Sequence, residues 1–380
     1  MRTILWLAVL AAGCSKTDPL YCTADHHLND DPACHGTADA PTSDGQPDGP
    51  MGPLCLGTGK WAVCAPRPTL PFDLPGTLDT GSNSKCQTGL WTMAGAQPDA
   101  CFIVGTTITM SADTLVTGPH PLVLVATTTI EISHVLDVAS HVNGKTGPGG
   151  RNGTGCLGGA AGNPAGTNYG GGGGGSFATF GGAGGGANGV TAVAGQATNL
   201  VTPTNLTSGC AGTQGGGIVG QGIPGAGGGA VFLTAGTGIV ITGSINASGA
   251  GGAANTDSPP PHPNGGSSGG SGGMIAMVAP SVTGSGSAFA NGGGGGCAGD
   301  SNNQVGGAGA DPLNASTAAL ACTGGLRGGL GSVGVGDGLP GNNGGAMKSG
   351  GGGGGGGGFV SYDQTLPPTL TVSPTRTNLP

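Results

Sequence analysis

Three carboxylates near the middle of the chain, Asp113, Glu131 and Asp137, are the side chains best suited by type to acid–base chemistry. Grouped acids cleave glycosidic bonds: one protonates the leaving oxygen while another activates water or attacks the sugar. Glu131 is the single glutamate of the chain, against 17 aspartates. It lies between Ile130 and Ile132, and Asp137 lies between Leu136 and Val138. Alternation turns both outward, on different sides of a coil. No Lys or Arg falls between Lys85 and Lys145, so these turns lack the cation a polysaccharide lyase uses. Outward solubilising charge is the expected role, and no catalytic residue is assigned. His134 and His141 flank the same stretch and read as surface histidines.

Two other groups have the right types to hold a metal. Cys22, His26, His27, Asp30, Asp31, Cys34 and His35 cluster in sequence. Their spacing follows no zinc pattern, with one Cys on each side, and a Cys22–Cys34 disulfide is the expected reading. Gly306-Gly-Ala-Gly-Ala-Asp311-Pro-Leu-Asn matches one copy of a calcium-binding nonapeptide. A β-roll shares each calcium between successive copies, and here there is a single copy. Asp311 is thus a candidate ligand with no metal assigned. Gly-x-Gly-x-x-Gly patterns are frequent, but none follows a strand, opens a helix and precedes an acid at the right distance. No cofactor is expected.

The composition explains this poverty of sites. Of 380 residues, 90 are glycine and 28 are charged. Average usage is roughly 7% glycine and roughly 25% charged. Glycine costs roughly 1 kcal/mol per helical position, and Glu, Lys and Arg are scarce, so a helical protein is excluded. A net charge of −8 excludes a basic nucleic-acid binder. With 36% hydrophobic residues, the chain also lacks the usual signature of disorder. The glycine is unevenly placed: 13 in residues 1–143, 77 in 144–360 and none in 361–380. Runs such as Gly170–Gly175 and Gly350–Gly358 break the strict triplet of collagen.

The elements that must carry these side chains are short strands. Cys101–Met110 and Leu122–Ser133 are β-branched and alternate. A shift of 22 sets Phe102 on Leu124, Ile108 on Ile130, Met110 on Ile132 and Val116 on Val138. A shift of 109 sets Leu124 on Leu233, Ile130 on Ile239, Ile132 on Ile241 and Leu136 on Ile245. A further shift of 44 sets Leu233 on Met277. Gly228–Leu233, Gly272–Met277 and Gly357–Tyr362 open three late copies. Apolar positions repeated from copy to copy predict an all-β fold, a parallel β-helix or solenoid-like core over 101–362. Long glycine-rich insertions interrupt it at about 144–228, 249–273 and 291–358, hung at one corner of the coil. They are either polyglycine-II-like packed helices or flexible linkers. Thr106-Thr107 and Thr127-Thr128-Thr129 form a threonine ladder on the sheet surface.

The N-terminus reads as an export signal. Arg2 precedes a short apolar run, Ile4–Ala12, too short to span a bilayer. Leu10-Ala11-Ala12-Gly13-Cys14 resembles the bacterial lipobox, with Ala11 where that motif usually has Leu. The resemblance implies removal of 1–13 and a lipid on Cys14, and Ser15 implies sorting to the outer membrane. Residues 14–50 then form a disordered tether, 51–100 a small disulfide-pinned, loop-rich segment, and 363–380 a tail. Setting Cys14 aside leaves ten cysteines, an even number suited to an oxidising compartment. Loop-closure entropy makes sequential pairing the simplest reading: Cys22–Cys34, Cys55–Cys64, Cys86–Cys101, Cys156–Cys210 and Cys297–Cys322.

Five stretches together carry a resemblance: the lipobox, Gln97-Pro-Asp-Ala-Cys101-Phe-Ile-Val-Gly, Pro121-Leu-Val-Leu-Val-Ala, Leu136-Asp-Val-Ala-Ser-His141, and Gly-Gly-Gly-Ala-Val-Phe-Leu233 with Ile245-Asn-Ala-Ser-Gly. The chain resembles a family of glycine-rich bacterial exported lipoproteins with a repeated β-strand core. The resemblance spans about residues 86–362 and implies location and architecture. It transfers no activity and no functional residues. The expected role is a non-enzymatic surface lipoprotein serving structure, adhesion or matrix contact. Its partners are the membrane, through the Cys14 lipid, and polysaccharide or other surface proteins, with no nucleic acid. The alternative is a carbohydrate-active enzyme or polysaccharide-binding protein on a β-helix.

Overall fold

The computed structural model describes residues 52–374 apart from 83, 94, 143, 151–155, 157–158, 202, 256–263, 300–305, 325 and 364–365. The signal segment 1–13, Cys14, the tether and the Cys22–Cys34 cluster lie outside the described residues.

Three parallel sheets form the body, and the chain visits them in a fixed rotation up to Phe359–Tyr362, after which its next strand, Thr371–Ser373, lies in the third sheet. Sheet 1 stacks Cys101–Gly105, Leu122–Ala126, Ala230–Ala235, Met274–Val278 and Phe359–Tyr362. Sheet 2 stacks Phe72–Leu74, Ile108–Met110, Thr129–Ile132, Gly238–Ile241 and Val282–Thr283. Sheet 3 stacks Thr77–Asp79, Thr114–Thr117, Val135–Asp137, Ser244–Asn246, Ser287–Phe289 and Thr371–Ser373. This is an all-β fold of repeating parallel sheets with solenoid-like architecture.

Each turn buries its apolar residues only because another turn lies above or below it. Inside the coil, Ile103, Leu124, Leu233, Met277 and Tyr362 form one column. Leu74, Met110, Ile132 and Ile241 form a second, and Leu136, Ile245, Ala288 and Val372 a third. Burying one such Leu or Ile contributes roughly 1.5–3 kcal/mol.

The repeats of 109 and 44 residues are the registers of the later turns, Leu124 to Leu233 and Leu233 to Met277. Between the first two full turns the register differs from the expected 22 in one sheet. Ile108 pairs with Ile130, but Phe102 pairs with Val123 and Ile103 with Leu124. The reason is the corner: two residues separate Gly105 from Ile108, whereas three separate the matching Ala126 from Ile130. A one-residue slip exchanges the faces of a strand. Phe102 therefore points out of the coil, and Ile103 points in.

That outward face is itself buried, which is why sheet 1 reads as unbroken apolar runs. Leu54–Leu56 and Val63–Ala65 form an antiparallel hairpin, and its Leu54, Trp61 and Val63 join Phe102, Val123, Val125, Phe232 and Ala276 in a second core. Trp91 stacks on Phe232 at 5.7 Å and meets Phe102 edge-on at 5.2 Å. Residues 51–100 are thus more than a loop-rich segment. Their Phe72–Leu74 and Thr77–Asp79 strands open the parallel stack ahead of Cys101, and Thr371–Ser373 extends it past residue 362. Disulfides join Cys55 to Cys64, Cys86 to Cys101, Cys156 to Cys210 and Cys297 to Cys322.

The three long glycine-rich insertions leave sheet 3 and return to sheet 1, after Asp137, Asn246 and Phe289. Their main chains bond to one another with a period of three. Gly266, Gly269 and Gly272 donate to the carbonyls of Gly350, Gly353 and Gly356. Gly172 and Gly175 donate to Gly266 and Gly269, while Gly353 and Gly356 donate to Gly172 and Gly175. Each bond is 2.8–3.0 Å long. The pairing satisfies peptide groups that lack polar side chains nearby.

Candidate functional site

Asp137 closes the strand Val135–Asp137, where Leu136 points into the core and so turns its neighbours outward. The chain then folds back, with the Ala139 amide donating to Asp137 Oδ1 at 3.1 Å. Ser140 clamps both ends of the first insertion: its hydroxyl donates to the Gly227 carbonyl at 2.6 Å and accepts from the Gly147 amide at 2.9 Å. A tight loop follows, held by the His141 amide donating to the Lys145 carbonyl at 2.7 Å.

The His141 ring stands between two acids. Nε2 lies 3.0 Å from Asp137 Oδ2, and Nδ1 lies 3.3 Å from Asp311 Oδ2. Asp311 comes from the third insertion, 170 residues along the chain. It also accepts from the Val142 amide at 3.1 Å and from Gly251 of the second insertion at 2.8 Å. The hydrogen bond that the ring donates to Asp137, followed by that to Asp311, pushes the His141 pKa up to about 10, against an opposing desolvation. The ring is therefore an imidazolium at neutral pH, with both N–H groups donating. Such a ring cannot accept a proton, so it is no general base. Its effect is to fasten all three insertions to the end of one strand.

The other expected acids lie apart from this cluster. Glu131 is exposed on the outer face of sheet 2, opposite Val240. Asp113 is exposed at a corner, where its Oδ1 accepts from the Val135 amide of the next turn at 2.9 Å. The structure thus pairs Asp137 with Asp311 through His141 and leaves Glu131 and Asp113 separate. The Asp311 oxygens face N–H donors, and among the described residues no group of three or more His, Cys, Asp or Glu is arranged to hold a metal. In the threonine ladder, Thr107 and Thr128 hydroxyls lie 3.1 Å apart, and Thr128 also donates to the Thr106 carbonyl.

Sequence reasoning missed a cleft of about 580 Å³ beside this cluster. Its floor is the outer face of the first turns of sheet 3, where Thr77 pairs with Leu115 and Asp79 with Thr117. Asp137 is the next residue beyond Leu115 in the same row. Lys145 and Thr146 form the opposite wall, placed there by the loop that His141 anchors. Asp79 accepts from the Gly81 amide and the Ser82 hydroxyl. The Thr77, Thr117 and Thr146 hydroxyls and the Lys145 ammonium have no partner among the described residues. The signal was present: Phe72–Leu74 and Thr77–Asp79 alternate like the later turns. Their offset of 36 to 38 residues differs from the later spacings because a loop intervenes.

Fold and site together define a class, an all-β chain of stacked parallel sheets whose glycine-rich insertions meet at one charged fastening. No family model, curated protein or solved structure matches the chain.

Proposed function

We propose that this protein is a non-enzymatic surface lipoprotein with a structural or adhesive role in the cell envelope, held to the outer membrane by a lipid on Cys14. The observation that carries the reading is the state of the acid cluster. Asp137 and Asp311 are committed to His141 and to main-chain amides, so the pair has no free acid or base. In the outward row of sheet 2, Glu131 has Val240 on one side and Thr109 on the other, and the next acid, Asp73, lies two strands away and accepts from the Thr109 and Ser111 hydroxyls. Acid–base bond cleavage needs two such groups flanking one bond. The test is direct. The mature protein, incubated with a panel of polysaccharides, should release no reducing ends. Release that disappears in Asp137→Ala or Glu131→Ala would return the protein to the carbohydrate-active enzymes. Anchoring is checked separately: a fatty-acid label should be incorporated by the wild type and not by Cys14→Ser.

The insertions supply the rigid part of this role as a polyglycine-II-like bundle. The period-three bonding among Gly172–Gly175, Gly266–Gly272 and Gly350–Gly356 supports this, because polyproline-II-type helices have three residues per turn. The Cys156–Cys210 and Cys297–Cys322 disulfides close loops of 54 and 25 residues inside the bundle. In the absence of reductant, residues 159–228 should resist a broad-specificity protease for as long as the coil does. Cutting there at the rate of an unfolded peptide would identify the insertions as linkers.

A further inference from the structure

We propose that the cleft between sheet 3 and the segment 144–146 binds a neutral oligosaccharide, which would make it the adhesive site of the surface protein. The inference rests on the non-enzymatic surface reading and names its ligand class. Three hydroxyls, Thr77, Thr117 and Thr146, face the cleft without partners, and each can both donate and accept. The Lys145 ammonium adds donors, and the Asp79 carboxylate keeps lone pairs beyond its two local bonds. Leu115 provides an apolar patch on the floor. A ligand matching this lining must itself carry many groups that donate and accept, around a ring with apolar C–H faces. A sugar chain has that chemistry.

Other classes fit less well. A phosphorylated ligand would meet one cation beside a carboxylate. A lipid tail would leave the hydroxyls unpaired, which costs free energy at each of them. A metal ion would find one carboxylate among hydroxyls. Charge also favours a neutral chain: Asp79 and Lys145 offset each other locally, and the protein as a whole carries −8. The volume, about 580 Å³, lies within the roughly 300–1,000 Å³ typical of ligand pockets. The cleft is also held in shape. Its floor is a paired sheet, and its Lys145 wall is fixed by the His141 loop, which Asp311 ties to the second and third insertions.

The experiment measures saturation-transfer NMR and titration calorimetry on the mature protein with cellohexaose, maltohexaose, laminarihexaose and hexagalacturonate. At least one neutral hexaose should bind. Thr77→Val/Thr117→Val and Lys145→Met should each weaken it at least about tenfold, with the melting temperature unchanged because these side chains bond nothing in the free protein. Failure of every neutral hexaose at millimolar concentration, binding of hexagalacturonate alone, or binding indifferent to both variants overturns the proposal. Adhesion of protein-coated beads to whole cells separates the two readings. Beads that adhere equally with wild type and both variants sink the cleft and leave the surface role standing. Oligosaccharides that bind and are shortened sink the non-enzymatic role and leave the cleft standing.

Discussion

Replacing Gly355 by Ala should lower the melting temperature by roughly 6 °C or more, whereas Gly345→Ala should leave it unchanged or raise it slightly. The two glycines lie ten residues apart in the third insertion but meet different surroundings. A Cβ on Gly355 would sit 1.9 Å from the Gly270 carbonyl oxygen of the second insertion. That oxygen is main chain and cannot rotate away like the end of a flexible side chain. Gly355 is also held from two other sides. Its amide donates to Gly293 at 2.8 Å, and its carbonyl accepts from Ser332 at 2.9 Å. Relief would need three segments to move apart together. Overpacking in a tight interior costs roughly 1–3 kcal/mol and more where backbone must shift, so at least about 3 kcal/mol is expected. Around Gly345 a Cβ would meet nothing within 4 Å. There, alanine acts mainly by restricting the unfolded chain, a gain of roughly 0.4–1 kcal/mol. Thermal unfolding of the two variants side by side makes the comparison. Equal behaviour would mean that the glycine contacts do not govern stability.

The second large effect is a loss of stability at alkaline pH that depends on His141. The two carboxylates raise its pKa from 6.5 to about 10 in the folded state. A group raised in this way binds its proton more tightly when folded. Its contribution is full below about pH 6.5, the unfolded value, and disappears as pH rises through about 10. A rise of that size corresponds to at most roughly 5 kcal/mol. With 30% of the side chain exposed, solvent screening reduces this to an expected 2–3 kcal/mol or so. The charged groups around the ring are Asp137 and Asp311, with Lys145 from its own loop. Melting temperatures should fall between pH 7 and pH 10.5 by roughly 5 °C more in the wild type than in His141→Gln. The subtraction removes other groups that titrate in that range. Amide exchange at Val142 and Gly251, whose N–H groups bond Asp311, should quicken over the same interval. Identical pH profiles for the two proteins would show that the ring carries no such charge.

How far the fold was legible from the sequence depended on the kind of contact involved. The columns of Leu, Ile and Val inside the coil were readable because a parallel stack places like on like, turn after turn. The shifts of 109 and 44 residues are the registers themselves. The facing of Phe102 was not readable, because the corner after its strand is one residue shorter in that turn than in the next. Alternation constrains a strand but says nothing about the length of the bend after it. The opening turn at Phe72–Asp79 escaped notice for a related reason, an intervening loop that changes the spacing.

The sites were less legible. Asp137 and His141 are four residues apart and could be seen as neighbours, but Asp311 is 170 residues from His141. No periodicity links the third insertion to the end of a coil strand. The cleft has the same character, since Thr77, Thr117 and Lys145 meet only through stacking and loop closure. The sequence by itself determined the all-β class, the apolar ladder and the placement of glycine between turns. Those are properties of neighbouring residues and of repetition, which short-range sterics and burial decide. Only the tertiary structure decided that the insertions bond to one another and that one imidazolium ties them to the coil. Both depend on main-chain groups and charges that meet across the folded chain, where composition carries no record of partners.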